Sequence, residues 1–253
     1  MIVGVYGDDV TGSVDALLQY RRAGLDGALV TSPDAVAEVS ARAVVIVAGT
    51  ARSLPAEAMA AAVRPAFEAL REARIVQYKA CSTADSSPEI GSLGRVLELA
   101  RDVYGEQTIP LLFAQPDFGR YTSFGHHFAR DGERVWRLDR QPTMSRHPVT
   151  PMGESDLAVH LSHQTSLPIS ATPWTSYGDD LAQRILTDKA AATVLDALDD
   201  HHLDAVGRAV VALPGRPTFC LGSGGLSLAI GRALGGEATP LPTTADPATG
   251  PML

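Results

Sequence analysis

The sequence predicts an α/β protein built on an open, mainly parallel, Rossmann-like sheet flanked by helices, with a β-hairpin and loop insert. Three observations carry that expectation. Short β-branched runs alternate with Ala- and Leu-rich amphipathic stretches, the pattern of parallel strands joined by crossover helices. The strand candidates are short, predominantly apolar runs, as strands buried on both faces are. The chain has 253 residues, 45% hydrophobic and 20% charged, enough to bury a large core without metals or disulfides.

The first half gives strands at Ile2 to Tyr6, Gly27 to Thr31, Ala43 to Ala48, Ile75 to Lys79 and Ile109 to Ala114, each of strand length. Between them lie helices. Ser13 to Ala23 places Val14, Leu17 and Leu18 at helical spacing and stops at Gly24; Pro55 to Ala73 is rich in Ala, Leu and Glu, with Pro65 expected to kink it; Glu89 to Tyr104 ends at Gly105. From about residue 115 to 153 the alternation breaks. Phe118 to Phe128 is Gly- and aromatic-rich, Phe128 to Leu138 reads as a hairpin around Asp131-Gly132, and Asp139 to Gly153 is polar and Pro-rich. It resumes with a helix at Glu154 to His163, strands near Leu167 to Ser170 and at Ala192 to Ala197, a helix from Asp199 to Leu213, a strand at Thr218 to Leu221 and a helix after Gly222-Ser223-Gly224-Gly225. The domain therefore runs over residues 1 to 235, and the Pro/Thr-rich stretch 236–253 reads as a flexible tail.

Composition narrows the function. With 21 Lys and Arg against 29 Asp and Glu the formal net charge is -8, which argues against a nucleic-acid partner. No apolar run approaches the roughly 20 residues that cross a bilayer, so no membrane partner is expected and the chain reads as cytoplasmic. Two cysteines, Cys81 and Cys220, are too few for a disulfide framework. His160 and His163 share a helical face without a third ligand, so no metal site is expected. There is no G-x-x-x-x-G-K-[ST] stretch, which excludes a P-loop kinase.

In an open parallel sheet, ligands bind beyond the carboxyl ends of the strands. Four such places are unusually polar. Gly7-Asp8-Asp9-Val10-Thr11-Gly12 puts two carboxylates before a helix, where one can cap it and the other is available as a base or hydroxyl ligand. Arg52 follows the third strand and can hold a carboxylate with two prongs. Lys79 ends the fourth strand and opens a hydroxyl-rich loop, Ala80-Cys81-Ser82-Thr83-Ala84-Asp85. It is one of only two lysines among 21 basic residues, the other being Lys189; a compact charge there suits an anion, and the hydroxyls suit a polyol. Cys81 reads as a packing residue. The insert brings Phe118-Gly119-Arg120-Tyr121 and Arg146-His147, a local cationic patch in an acidic chain. The glycines at 222–225 offer a weaker phosphate-cradle signal.

Taken together and in order, these motifs resemble the four-carbon acid sugar kinase family, whose members phosphorylate acids such as threonate and erythronate with ATP. Asp8, Asp9, Thr11 and Gly12 match its Asp-Asp-x-Thr-Gly turn, Arg52-Ser53 its Ser-Arg-type edge, and Tyr78-Lys79-Ala80-Cys81-Ser82-Thr83 its Tyr-Lys loop. After Thr83 the chain departs from the common Leu-Arg-Gly and reads Ala84-Asp85-Ser86-Ser87-Pro88, a distinct branch. The resemblance covers residues 1 to 235 and is to the sugar-binding N-terminal domain, without the second domain that binds ATP.

The resemblance implies Asp8, Asp9 and Lys79 as catalytic residues and Arg52, Ser82, Thr83, Asp85, Gly119, Arg120, Arg146 and His147 as substrate contacts, with Arg52 gripping the carboxylate. It implies ATP and Mg²⁺ as cofactors, not expected to be bound by this chain alone. The expected partner is a small sugar acid, with room for a nucleotide-binding domain on a separate chain and for a homo-oligomer. Two alternatives stay open: a free-standing sugar-acid-binding module, or a split kinase that needs a second chain. A changed reaction using Lys79, of lyase or isomerase type, is a third.

Overall fold

The computed structural model describes residues 1–215 and 217–235; the expected tail lies outside them. Eleven described strands form two sheets. The main one is entirely parallel, with β1 (Val3–Gly7), β2 (Gly27–Val30), β3 (Val44–Ala48), β4 (Ile75–Lys79), β5 (Ile109–Leu112), β9 (Ile169–Thr172), β10 (Ala192–Leu195) and β11 (Thr218–Gly222) in the order β2-β3-β1-β4-β11-β5-β10-β9. The expected strands are present within one or two residues at each end.

Helices α1 (Val10–Arg22), α2 (Val36–Val39), α3 (Ala56–Ala69), α4 (Leu93–Tyr104), α5 (Leu157–Ser162), α6 (Leu181–Thr187), α7 (Asp200–Ala212) and α8 (Gly224–Leu234) cover the sheet. Successive strand residues face opposite cores. Val45 and Val47 of β3 pack with Met59, Val63 and Phe67 of α3, while Val44 and Ile46 pack with Tyr20 of α1 and Ile230 of α8. Across β4, Tyr78 joins the first core and Gln77 faces the second. There Tyr20 and Ser227 donate to Gln77 Oε1 at 2.8 and 3.0 Å, so this buried polar group ties α1, β4 and α8 together. With α1 on one face and α3 on the other, the strand order reverses between β1 and β4. That is the switch point at which open α/β sheets bind ligands.

Helix ends follow their caps. Helix α1 begins at Val10, ahead of the expected Ser13, because Asp9 accepts from the Gly12 amide. Helix α4 begins at Leu93, after its Ser92 cap, rather than at Glu89. Helix α3 continues past Pro65 to Ala69.

The insert is a three-stranded antiparallel sheet: β6 (Arg120–Ser123), β7 (His126–Asp131) and β8 (Arg134–Arg137), with Gly132 in the β7–β8 turn. The expected hairpin is β7–β8. Strand β6 was hidden by its polar composition, and it is pinned to the main body where Thr122 bridges to Ala197.

Candidate functional site

The carboxyl ends of β1, β3 and β4 are tied by backbone. Asp8 N donates to Lys79 O at 3.0 Å and Arg52 N donates to Asp8 O at 3.1 Å. These bonds bring Asp8, Asp9, Arg52 and Lys79 around one cleft of about 350 Å³, whose walls also include Thr11, Gly12, Asp15, Cys81, Ser82, Gln115 and Phe118.

Charge in the cleft is heavily paired. Arg52 Nη1 lies 2.7 Å from Asp9 Oδ2, and its Nη2 lies 3.1 and 3.0 Å from the two oxygens of Asp85. The fork expected to grip a ligand carboxylate is thus filled by protein carboxylates. Burial opposes the Arg52 charge, but Cys81, Asp85 and Asp9 beside it hold the guanidinium protonated. Burial would raise Asp9, yet the Gly12 amide and Arg52 hold its carboxyl below the usual range. Lys79 is buried; its Nζ donates to Ala80 O at 3.1 Å and sits at a looser 3.5 Å from Asp15.

Asp8 differs from its neighbour. It is buried, its Oδ1 has no hydrogen-bond partner, and burial pushes its carboxyl up to about 7, with Lys79 pulling it down and Asp9 pushing it up. A carboxyl poised there can take a proton from a ligand hydroxyl near neutral pH.

The other expected residues occupy successive layers. Ser82 lines the cleft. Thr83 and Asp85 lie behind it, the Thr83 hydroxyl donating to Asp85, which also accepts from Thr150 at 3.3 Å. His147 is connected to the same carboxylate through Thr150, 3.0 Å from its Nδ1. Gly119, at φ +69, makes the left-handed turn after Phe118, and Arg120 braces it by donating to Phe118 O at 2.8 Å. Arg146 is exposed on the insert and does not line the cleft. Lys189 is exposed as well.

The Gly222–Gly225 turn proves to be a packing device. A Cβ on Gly224 would stand 2.2 Å from the Asp15 carboxylate, and one on Gly225 would stand 2.0 Å from Ala114 O. Ser223 already caps α8, its hydroxyl accepting from the Gly225 amide at 3.1 Å, and the Asp15 carboxylate packed against Gly224 brings negative charge to the turn.

Sequence reasoning overlooked five contributors. Cys81, taken for packing, is partly exposed on the cleft wall. Asp15 lies inside a helix, where nothing marks it. Gln115 and Phe118 follow β5, and the strand-end rule that found Asp8 and Lys79 also points to Gln115. His127 is fully buried on β7, with Nε2 2.7 Å from Ser82 O and Nδ1 2.9 Å from the Thr122 hydroxyl. Burial pushes it down to about 4, against the Ser82 contact, so it is neutral and donates to Ser82.

A doubly covered parallel sheet with a charged cleft at its switch point defines an α/β small-molecule-binding domain. The chain belongs to the family described as "Sugar-binding N-terminal domain", whose model matches residues 3–230. It is 35% identical to a 3-oxo-isoapionate kinase of Paraburkholderia graminis over 100% of this chain and 56% of that one. It is 32% identical to a D-threonate kinase of Bordetella bronchiseptica, over 93% and 56%, and 30% identical to a 3-oxo-tetronate kinase of Methylobacterium radiotolerans, over 94% and 56%. The chain thus spans a little over half the length of these curated relatives. A solved structure of a Bordetella bronchiseptica domain of unknown function, a domain-swapped dimer with bound citrate, matches at TM-score 0.76 and 28% identity, over 92% of this chain and 56% of that one. A structure from Salmonella typhimurium, at TM-score 0.79 and 24% identity over 92% and 55%, shares the fold. Among the described residues no helix is long and apolar enough to cross a membrane.

Proposed function

We propose that residues 1–235 are the sugar-acid-binding portion of an ATP-dependent four-carbon acid sugar kinase, acting in the cytoplasm. The cleft would hold a threonate- or erythronate-like acid and present one of its hydroxyls for phosphorylation. The observation that carries this reading is the convergence of Asp8, Asp9, Arg52, Lys79 and Ser82 on one cleft at the switch point. The kinase names of the relatives and the citrate in the Bordetella neighbour support it.

In this reading Asp8 accepts the proton of the attacking hydroxyl, and Asp9, fixed by Arg52, orients that oxygen. Lys79 is the more available cation, because its pair with Asp15 is 3.5 Å long; it turns toward the ligand carboxylate or the transferred group. Arg52 acts through Asp9 and Asp85. Ser82 binds a ligand hydroxyl, and the insert supplies the Phe118 wall through Gly119 and Arg120. Arg146 and His147 meet the ligand only if the insert folds over the cleft.

ATP, when bound, supplies the phosphoryl group with Mg²⁺ on its phosphates. The glycine turn at 222–225 suits a nucleotide phosphate poorly, since the Asp15 carboxylate is packed against Gly224 and would repel it. That carboxylate favours a second reading, a split kinase in which this chain binds the acid and a separate nucleotide-binding chain supplies the phosphoryl donor. Self-association, as in the domain-swapped Bordetella dimer, is the other partner proposed, read by light scattering.

Titration calorimetry with D-threonate and D-erythronate tests the reading. The wild-type chain should bind, and Lys79→Ala and Asp9→Asn should each weaken binding roughly 10- to 100-fold, the loss of one charge-assisted contact. Unchanged affinity in both variants would remove the site assignment. ATP consumption by the chain alone would favour the complete kinase, consumption only after adding a nucleotide-binding chain would favour a split kinase, and no consumption under either condition would favour a free-standing module.

A further inference from the structure

Both cations of the cleft are paired within the protein, Lys79 more loosely than Arg52, and the cleft also carries unmet hydrogen-bonding demand. Arg52 is bound to Asp9 and Asp85, and Lys79 to Asp15 and Ala80 O. Two polar atoms on the cleft's residues are buried with no partner: Asp8 Oδ1 and Gln115 Nε2. An amide left unpaired in a low-dielectric wall carries a free-energy cost that a native structure seldom leaves without use.

The backbone of Gln115 is fixed. Its N–H donates to Arg120 O at 3.0 Å, and its carbonyl accepts from Arg120 N at 3.1 Å and Phe118 N at 2.9 Å. The side chain is therefore delivered to the cleft by a rigid bridge between the end of β5 and the start of β6, and only 2% of the residue is exposed. An amide and a carboxyl are complementary to an oxygen that both accepts and donates. A ligand carboxylate fits that pair poorly, since Asp8, Asp9 and Asp15 already line the same cleft.

We propose that Gln115 is a specificity-determining residue whose side-chain amide donates to an uncharged oxygen, a hydroxyl or keto group, of the bound polyhydroxy acid. The ligand then lies with its carboxylate toward Lys79 and an uncharged oxygen toward the β5 end. This deepens the sugar-acid reading above and rests on it.

Calorimetry on the purified chain tests it, with D-threonate and its three deoxy analogues, 3,4-, 2,4- and 2,3-dihydroxybutanoate, which lack the 2-, 3- and 4-hydroxyl in turn. Gln115→Met, of similar volume, should weaken D-threonate binding about 10-fold and leave unchanged the affinity for the one analogue that lacks the contacted hydroxyl. Its melting temperature should hold or rise, because an unpaired buried amide has been removed. Gln115→Ala, run in parallel, should give the same pattern and serves if Gln115→Met fails to fold. Equal loss for all four acids would make Gln115 merely structural, and no loss for any would remove it from the site; either overturns the proposal while leaving the sugar-acid reading intact. Absence of binding by the wild-type chain to every acid overturns both.

Discussion

Arg52 and Asp85 form a two-pronged ion pair, 3.0 and 3.1 Å, in which the Asp85 side chain is only 1% exposed. The guanidinium reaches it from the β3 end while its other amino group holds Asp9 at the β1 end. Arg52 is therefore first a structural counter-charge. Removing it strands a buried carboxylate, which costs about 3–5 kcal/mol. Arg52→Ala should lower the melting temperature by roughly 6–20 °C, and Arg52→Ala/Asp85→Asn should recover at least half of that loss. A single variant melting within 2 °C or so of wild type by calorimetric scan would contradict the pairing.

Asp8 should make stability fall as pH rises. Its carboxyl goes from an ordinary 3.8 to about 7 on folding, so between those values the native state binds more protons than the unfolded chain. The stabilising protonated form is fully present below about pH 4 and is lost through pH 7. His127 and His160, pushed down to about 4 by burial, act in the opposite sense, giving stability that rises with pH up to their ordinary range near 6.5. The Asp8 contribution is isolated by comparison. The stability of Asp8→Asn relative to wild type should increase by up to roughly 4 kcal/mol from pH 4 to pH 7.5. Denaturant unfolding across that range checks it, and a pH-independent difference would count against the buried, unpartnered carboxyl.

His127 couples the insert sheet to the cleft. Its Nε2–H donates to Ser82 O, and its other nitrogen is bonded to Thr122. His127→Leu should cost about 1–3 kcal/mol, since the Ser82 carbonyl and Thr122 hydroxyl lose their partner, and it should also weaken sugar-acid binding by displacing Ser82. Because His127 is neutral above about pH 5, its contribution to affinity should stay flat from pH 6 to 8. Loss of stability with unchanged affinity would limit His127 to a structural role.

The strands around the site were legible because each is a short apolar run ended by a residue that does not belong in a core. Lys79 after Ile75-Val76-Gln77-Tyr78 and Asp8 after Val3-Gly4-Val5-Tyr6-Gly7 stand out for that reason. Their convergence follows from the strand order, in which β1 and β4 are neighbours. The pairing of charges was not legible. Nothing in sequence joins Arg52 to Asp85, 33 positions on, or Lys79 at the end of β4 to Asp15 inside α1. The glycines at 222–225 show the same limit. A run of small residues before a helix reads alike whether it cradles a ligand or, as here, is kept small by close packing against the Asp15 carboxylate and Ala114 O. Strand β6 went unseen because Arg120-Tyr121-Thr122-Ser123 has too little apolar alternation to mark a strand at the edge of a small sheet.

The central claim is that the cleft between β1 and β4 is where a four-carbon sugar acid binds, and the chain carries its own reporter. Of its two cysteines, Cys81 is partly exposed on the cleft wall, whereas Cys220 is buried and its thiol is pushed up by burial. Thiol labelling followed by mass spectrometry should therefore modify Cys81 alone in the folded chain, and saturating D-threonate should slow that labelling at least roughly 10-fold, the protection expected at about ten times Kd. A labelling rate at Cys81 unchanged by a sugar acid that calorimetry shows to be bound would place the ligand elsewhere and contradict the account.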